Sequence, residues 1–341
     1  MSKLLCIGSV AQDVFFPTNE GDFFETPEDV TSKKKVAFEV GAKYQIEDRH
    51  EALGGVAANT SVGFARLGLD VECAGGIGDD LLGQWILQEF SCEGVGVRHI
   101  QKFSDTQSDL SSILVFKESG DRTIFYNRDA AEKFLVGKID FSPFSEGDWV
   151  SISALNGDWK GNLDAIISQA QTQHLSLALN PGQRNIHDDA KAVLRAAQQA
   201  TVLILNKDEA TELALHIPDF LQSAIDDELA LIQALHTSES RKVTALTDGM
   251  RGAWVFDGTH VLHAEAISET PVETTGAGDA FSSGFLSAFI LGKPMSESLQ
   301  WGVANAGASV LQYGAVAGLL QGDEMNVRAS RVRVEEVGLN G

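Results

Sequence analysis

Short apolar runs recur along the chain, each followed by a longer segment whose composition or spacing suits a helix. The runs at residues 4–8, 71–74, 149–153, 175–179, 202–205 and 243–246 are too short for helices and lack polar alternation, as strands buried on both faces do. Residues 57–67 (closed by Gly68), 81–90, 188–199 and 219–236 supply the helical partners. Strand and helix in alternation predict a mostly parallel sheet with helices on both faces, a Rossmann-like three-layer α/β/α sandwich.

Two regions break the rhythm. Residues 14–53 hold acidic stretches at 19–22 and 25–29, then an alternating, strand-like run at 36–40. Residues 111–116 and 122–127 read as a β pair joined by a hairpin-like turn at 117–121. The α/β core is therefore expected in residues 1–13, 54–110 and 128–330, interrupted by β regions at 14–53 and 111–127. The last residues, from about Val327 to Gly341, are charged and weakly patterned and are expected to fray, with 331–341 set apart as a tail. Glycine and proline are scattered, and no internal repeat or low-complexity linker is visible.

Composition narrows the functional classes. A chain of 341 residues, 43% hydrophobic and 22% charged, can bury one large core. Lys plus Arg number 26 against 48 Asp plus Glu, a net charge of −22, which repels nucleic acid and anionic membranes. The longest basic run is Lys33, Lys34 and Lys35, so neither partner is expected; solubility or a salt-adapted host accounts for the acidity. Cys6, Cys73 and Cys92 are odd in number and lack CxxC spacing, which argues against a disulfide framework or a zinc site and fits a reducing cytoplasm. Cys6 reads as a core thiol. The first apolar run ends at Gln12 and Asp13, too soon for a signal peptide, and no stretch approaches the roughly eighteen apolar residues of a membrane span. The eight histidines show no metal spacing, and both the Walker P-loop and the GxGxxG fingerprint are missing.

The segment from Glu273 to Phe285 is the most informative. Phe281, Phe285 and Phe289 recur at four-residue spacing, with a stop at Gly292, Lys293 and Pro294, so a helix begins at a glycine turn. Gly276, Ala277 and Gly278 leave their N–H groups accessible at the positive end of the helix dipole, where a phosphate can bind. Asp279 then stands beside that anion site, placed to take a proton from an attacking hydroxyl. An ordinary capped helix with an acid in its first turn would read the same.

Thr274, Thr275, Gly276, Ala277, Gly278 and Asp279 resemble the C-terminal signature of the PfkB, or ribokinase-like, family of sugar and nucleoside kinases. The family's N-terminal glycine motif is matched by Leu53, Gly54, Gly55, Val56, Ala57, Ala58 and Asn59, followed by Ala65 to Gly68. Between the two lie Gly78-Asp79-Asp80 with Gly83, Asn180-Pro181, Asn206 to Glu209 and Thr247-Asp248-Gly249, in the family's order. The resemblance spans roughly residues 3 to 315 and implies a ribokinase-like fold in which the two irregular β regions form a small lid over the substrate.

It also implies roles. Asp13, in the stretch that follows the first strand, corresponds to the sugar-binding acid, and Gly54, Gly55 and Asn59 to further substrate contacts; turn or cap roles are open for each. Ala11 stands where ribokinases have Asn, and Val56 where many carry Lys, which counts against ribose itself. Asn206 and Glu209 match the motif that holds Mg²⁺ and its waters beside the phosphates, although a plain capping pair looks identical. Thr247, Gly249 and Gly252 match the nucleotide-side loop, equally readable as a hairpin turn, and Asn305 is expected beside the adenine. Arg128 reads either as a lid cation for substrate or phosphate or as a solvated surface arginine. A K⁺ site beside the anion turn would use Glu273, where the family has Asp, with Thr275, Ser309, Gln312 and Gly314. The implied activity is an ATP-dependent, Mg²⁺-requiring sugar kinase acting on a primary hydroxyl, with Asp279 as base. A nucleoside kinase is the alternative, with Phe23, Phe24, Phe38 and Tyr44 available to stack a base; a sensor without turnover is the third reading. A homodimer joined through the lid is expected.

Overall fold

The computed structural model describes residues 2–26, 34–118, 120–236 and 242–338. Among these, the central sheet is built from β1 (Lys3–Ile7), β6 (Asp70–Gly78), β7 (Gly96–Phe103), β10 (Trp149–Ile152), β11 (Ser176–Leu179), β12 (Val202–Asn206) and β13 (Val243–Thr247), all parallel. It continues antiparallel through β14 (Ala253–Phe256), β15 (Val261–Ala264) and β16 (Val334–Val337). The order across the sheet is β7, β6, β1, β10, β11, β12, β13, β14, β15, β16.

Strand β1 shows why its run is uniformly apolar. Leu4 and Cys6 belong to the core on one face, Leu5 and Ile7 to the core on the other, and none is more than 1% exposed. On the first face pack α1 (Val56–Arg66), α2 (Leu81–Cys92), α7 (Ala277–Ile290), α8 (Met295–Ser309) and α9 (Gly322–Ala329), through residues such as Phe64, Phe90, Phe285, Leu299 and Met325. On the second lie α3 (Trp159–Gln173), α4 (Gln183–Ala197), α5 (Lys207–Ala214) and α6 (Glu228–Leu235), through Ile166, Val193, Leu213 and Leu231. The fold is thus the three-layer α/β/α sandwich that the alternation predicts. No helix among the described residues is long and apolar enough to cross a membrane.

A second, four-stranded sheet stands outside the core in the order β5 (His50–Gly54), β2 (Ala11–Thr18), β8 (Asp109–Phe116), β9 (Arg122–Tyr126), and β3 (Asp22–Glu25) pairs separately with β4 (Lys34–Ala37). Its small core is Phe15, Ile113 and Val115. Strand β2 pairs with β5 and β8 rather than with β1, so Asp13, expected at the end of the core segment, lies in the lid sheet opposite Ala52 and Ser111.

Two expectations need correction. Residues 334–337, expected to fray, form β16, whose Val334 and Val337 pair with Ala264 and Val261 of β15; pairing with an existing edge supplies the order that weak local patterning does not. The helical reading of residues 219–236 holds only for α6: Asp219 is left-handed at φ 66° and Asp227 caps the shorter helix by accepting from Leu229 and Ala230. Residues 27–29 of the acidic stretch, Lys33 of the basic run, Ser119 of the hairpin turn and residues 339–341 of the tail lie outside the described residues.

Candidate active site

Sheet topology decides where a ligand can sit. The chain leaves β1 in both directions across the sheet, to β6 and β7 on one side and to β10 through β13 on the other. Crevices outside the carboxyl ends of strands form at such a switch point. The stretch after β1, the start of α1 and the start of α7 converge there.

The anion turn has the required backbone. Gly276 caps α7 in the left-handed region at φ 78°, and a Cβ on it would stand 2.3 Å from the Cβ of Ala315, so only glycine fits. A Cβ on Gly278 would meet open space, which leaves room over the first N–H groups of α7 for an anion. Asp279 follows in the first turn. Its Oδ2 accepts from Asn59 Nδ2 of α1 at 2.8 Å. That contact requires α1 and α7 to cross closely, and Gly63 allows it: a Cβ there would press on Ser283 at 2.3 Å. Asn59 Oδ1 is buried without a partner and remains available as an acceptor.

Asp279 is partly open to the cleft but crowded by protein. Burial pushes its carboxyl up to about 7; the Asn59 hydrogen bond opposes the shift, and the charges of Asp13 and Glu209 add to it. Asp13 is 5% exposed, and burial raises its carboxyl too, opposed by Ser111 and by the charge of Arg128. Gly54 is needed for this carboxylate, because a Cβ there would lie 2.2 Å from Asp13 Cγ. Gly55 is left-handed at φ 86°, and its Cβ would meet the Ser9 carbonyl at 2.5 Å. Arg128 donates to Ser111 Oγ at 3.1 Å and lies over the Tyr126 ring. It therefore belongs to the Asp13 neighbourhood, not to free solvent.

Beyond Asp279, a cleft of about 160 Å³ is lined by Asn180, Asn206, Glu209, Thr247, Gly278 and Asp279 among others. Asn206 and Glu209 do form a capping box on α5, with Asn206 N–H to Glu209 Oε2 at 3.0 Å and Glu209 N–H to Asn206 Oδ1 at 2.9 Å. The same Glu209 carboxyl lines the cleft, where burial raises it to about 7. Among the described residues no cluster of three ligating side chains exists; Asn206 and Glu209 offer oxygen donors of the kind Mg²⁺ takes, which usually keeps several waters and needs few carboxylates.

The cleft meets an apolar cavity of about 280 Å³, which shares Thr247 and Gly278 with it and adds Gly249, Gly252, Ile267, Val303, Gly307 and Val310. Asp248 N–H closes the β13–β14 turn onto the Gly252 carbonyl at 2.9 Å, and its carboxylate pairs with Arg251. Asn305 is a correction. It is fully buried and outside the cavity lining; Nδ2 donates to the Ala280 carbonyl at 2.9 Å and Oδ1 accepts from Leu320 N–H at 2.9 Å. It ties α8 to α7 and to the segment before α9. The aliphatic lining itself went unseen in the sequence, because isolated Ile and Val residues carry no local mark of a binding role. The Gly78-Asp79-Asp80 motif is likewise structural in its last member: Asp80 caps α2 on Gly83 and holds Ser108 N–H.

Of the residues expected around a monovalent cation, Glu273 is buried, with Oε1 accepting from Thr275 N–H at 2.5 Å. Glu273 Oε2 and Thr275 Oγ1 have no partner, so two enclosed oxygens are left that a cation would satisfy. The Ser309 hydroxyl is turned back on the Ala306 carbonyl, Gln312 is exposed, and Gly314 is left-handed at φ 93° against Ala52.

Comparison with known proteins identifies the family and the fold. A family model described as pfkB family carbohydrate kinase matches residues 1–321. The ribokinase of Bacillus subtilis is 27% identical over 271 residues, 78% of this chain and 84% of the relative. The fructokinase of Vibrio alginolyticus is 26% identical over 286 residues, 78% and 88% of the two chains. The nucleoside kinase of Methanocaldococcus jannaschii superposes with a TM-score of 0.72 over 97% of this chain and 99% of its own, at 22% identity, a likeness of fold. Because that family model matches residues 1–321, the chain belongs to the pfkB family of carbohydrate kinases.

Proposed function

We propose that the protein transfers the γ-phosphoryl group of ATP to a primary hydroxyl of a sugar. The observation that carries this reading is Asp279: a carboxyl group at the start of α7, lifted by burial to about 7, lining the cleft beside Gly278 and accepting from Asn59 of α1. A base with a pKa near the working pH both exists in its charged form and accepts a proton readily. In this reading the base and ribose of the nucleotide lie in the apolar cavity between Gly252 and Val303. The N–H groups of Gly276, Ala277 and Gly278 stabilise the charge of the transferring group. Asp13 and the free Oδ1 of Asn59 accept hydrogen bonds from hydroxyls of the acceptor sugar and hold it against Asp279. Glu209 and Asn206 would hold Mg²⁺ through water, where the ion neutralises nucleotide phosphate charge.

A nucleoside acceptor is the second reading. It is favoured by a cavity of about 740 Å³ under the lid ribbon, lined in part by Phe23, Phe24, Phe116 and Ile124, which offers aromatic faces to a base. Phe38 and Tyr44 pack against each other and are absent from its lining. An ADP-release assay over pentoses, hexoses, sugar phosphates and nucleosides, with thermal shift alongside, separates the readings. Turnover of a sugar supports the first and turnover of nucleosides alone the second. Binding without turnover of any acceptor would leave a sensor.

A further inference from the structure

The turn that carries Asp279 begins with a buried acid. Glu273 is 1% exposed, and both its Oε2 and the neighbouring Thr275 hydroxyl are enclosed without a hydrogen-bond partner. A carboxylate placed so deep is stable only with a positive charge close by. The cation that faces it comes from the lid. Arg122 Nε stands 3.8 Å from Glu273 Oε1, and Arg122 Nη1 donates to the hydroxyl of Thr274. Arg122 opens β9, an edge strand of the lid sheet, and pairs with Val115 of β8 at the hairpin end. The lid also touches the loop after α8, where His50 stacks on Tyr313 with ring centroids 4.4 Å apart. That contact carries no charge into the anion turn; the Arg122 contact does.

Resting on the kinase reading of the turn, we propose that Arg122 is a positioning residue that supplies the countercharge of Glu273 from the lid and grips Thr274. Lid closure thereby sets the anion turn, and the guanidinium takes over the charge balance that a monovalent cation would otherwise provide. When β9 moves away, Glu273 loses its partner and the turn loses a hydrogen bond at Thr274. The same geometry gives the arginine a rival: without the guanidinium, the orphaned oxygens of Glu273 and Thr275 form an uncompensated negative site that K⁺ can fill.

The test is a thermal-unfolding cycle on the full chain: wild type, Arg122→Ala, Glu273→Gln and the double variant, each in choline chloride and in KCl at matched ionic strength. Arg122→Ala is expected to lower Tm when Glu273 is intact and far less when it is added to Glu273→Gln, with K⁺ restoring the Arg122→Ala single variant and leaving the double variant and wild type unmoved. Equal losses in both backgrounds, or a wild type that responds to K⁺ as strongly as Arg122→Ala, overturn the proposal. Arg122→Lys keeps the charge and is expected to stay insensitive to K⁺. In kinetics, Arg122→Ala should lose kcat by about tenfold, a typical size for coupling between sites, with KM for ATP changed less and K⁺ restoring kcat. A loss confined to KM, with kcat intact, also counts against it. The unfolding cycle needs no turnover, so a chain that proved inactive on every acceptor would refute the kinase proposal and leave the Arg122–Glu273 result readable.

Discussion

Two acids with the same side chain are given different work by their surroundings. Asp279 is lifted from the ordinary 3.8 to about 7, chiefly by burial. Asp279→Asn keeps shape and capping ability but cannot accept a proton, so kcat should fall by about 10²–10⁴ while affinity for a non-hydrolysable ATP analogue is kept; a kcat within about threefold of wild type would remove Asp279 as the base. The raised pKa also has a pH signature. The base works only when ionised, so kcat/KM of the free enzyme should rise with an inflection near 7. Glu209, near 7 in the same cleft, shares that titration, and added Mg²⁺ should move the inflection to lower pH. For folding the sign is opposite. The folded state holds this proton more tightly than the unfolded chain, so Asp279's contribution to stability is fully present below about 4 and is lost as pH rises towards 7. Asp13 depends instead on a neighbour. Gly54→Ala would set a methyl 2.2 Å from its Cγ and displace it. KM for the acceptor should rise, as in Asp13→Ala, where each lost hydroxyl bond is worth about 1.5–3 kcal/mol, and KM for ATP should stay within about twofold. An acceptor KM unchanged in both variants would take Asp13 out of the site.

At the scale of elements, α7 is the piece on which the site is built, and its partners fix its aim. Phe281, Phe285 and Phe289 stack along one side, with successive centroids 5.8 and 6.2 Å apart, as their spacing predicts. Closeness to α8 is set by small residues: a Cβ on Gly284 would meet the Trp301 carbonyl at 2.6 Å, and one on Gly302 would meet the Phe281 ring at 2.8 Å. Asn305 then locks the pair. Asn305→Ala strips partners from the Leu320 N–H and the Ala280 carbonyl, and each such buried group costs about 1–3 kcal/mol. A clear drop in Tm is expected, with nucleotide affinity changed less than about threefold in the folded fraction, since Asn305 lies outside the cavity lining. A normal Tm with nucleotide binding lost would restore Asn305 to the nucleotide site.

Seen whole, the molecule is a large α/β core carrying a thin lid whose edge strand β9 keeps apolar surface exposed among the described residues. Ile124, Phe125 and Tyr126 of β9 are 39%, 60% and 61% exposed. A four-stranded sheet with so small a core gains by burying that surface against another. We propose a homodimer through the lid. Light scattering should give twice the chain mass, and Phe125→Lys with Tyr126→Lys should give the monomer; a wild-type monomer at micromolar concentration would defeat the idea.

What could be read without the fold was whatever is local. The runs at residues 4–8 and 202–205 announce buried strands because both their faces meet apolar layers, and the glycine turn before Asp279 announces itself because the left-handed backbone at Gly276 admits no side chain. The aromatic spacing of α7 is local in the same sense. Asn206 and Glu209 mark the limit: a cap and a metal-facing acid demand the same residues at the same interval, and the structure shows the cap formed by residues that also line the cleft. Asn305 was misjudged because a position on α8 does not say which neighbour its amide will meet; the crossing of α8 on α7 turns it inward. Strand β16 was invisible because an edge strand takes its order from its partner β15. Arg122 and Glu273 lie far apart in the chain, and neither residue type marks the other. Their meeting, and the convergence of Asp13, Asn59, Glu209 and Asp279 from four separate elements, is set by packing: side chains distant in sequence become neighbours only when the sheet order and the lid bring their elements together.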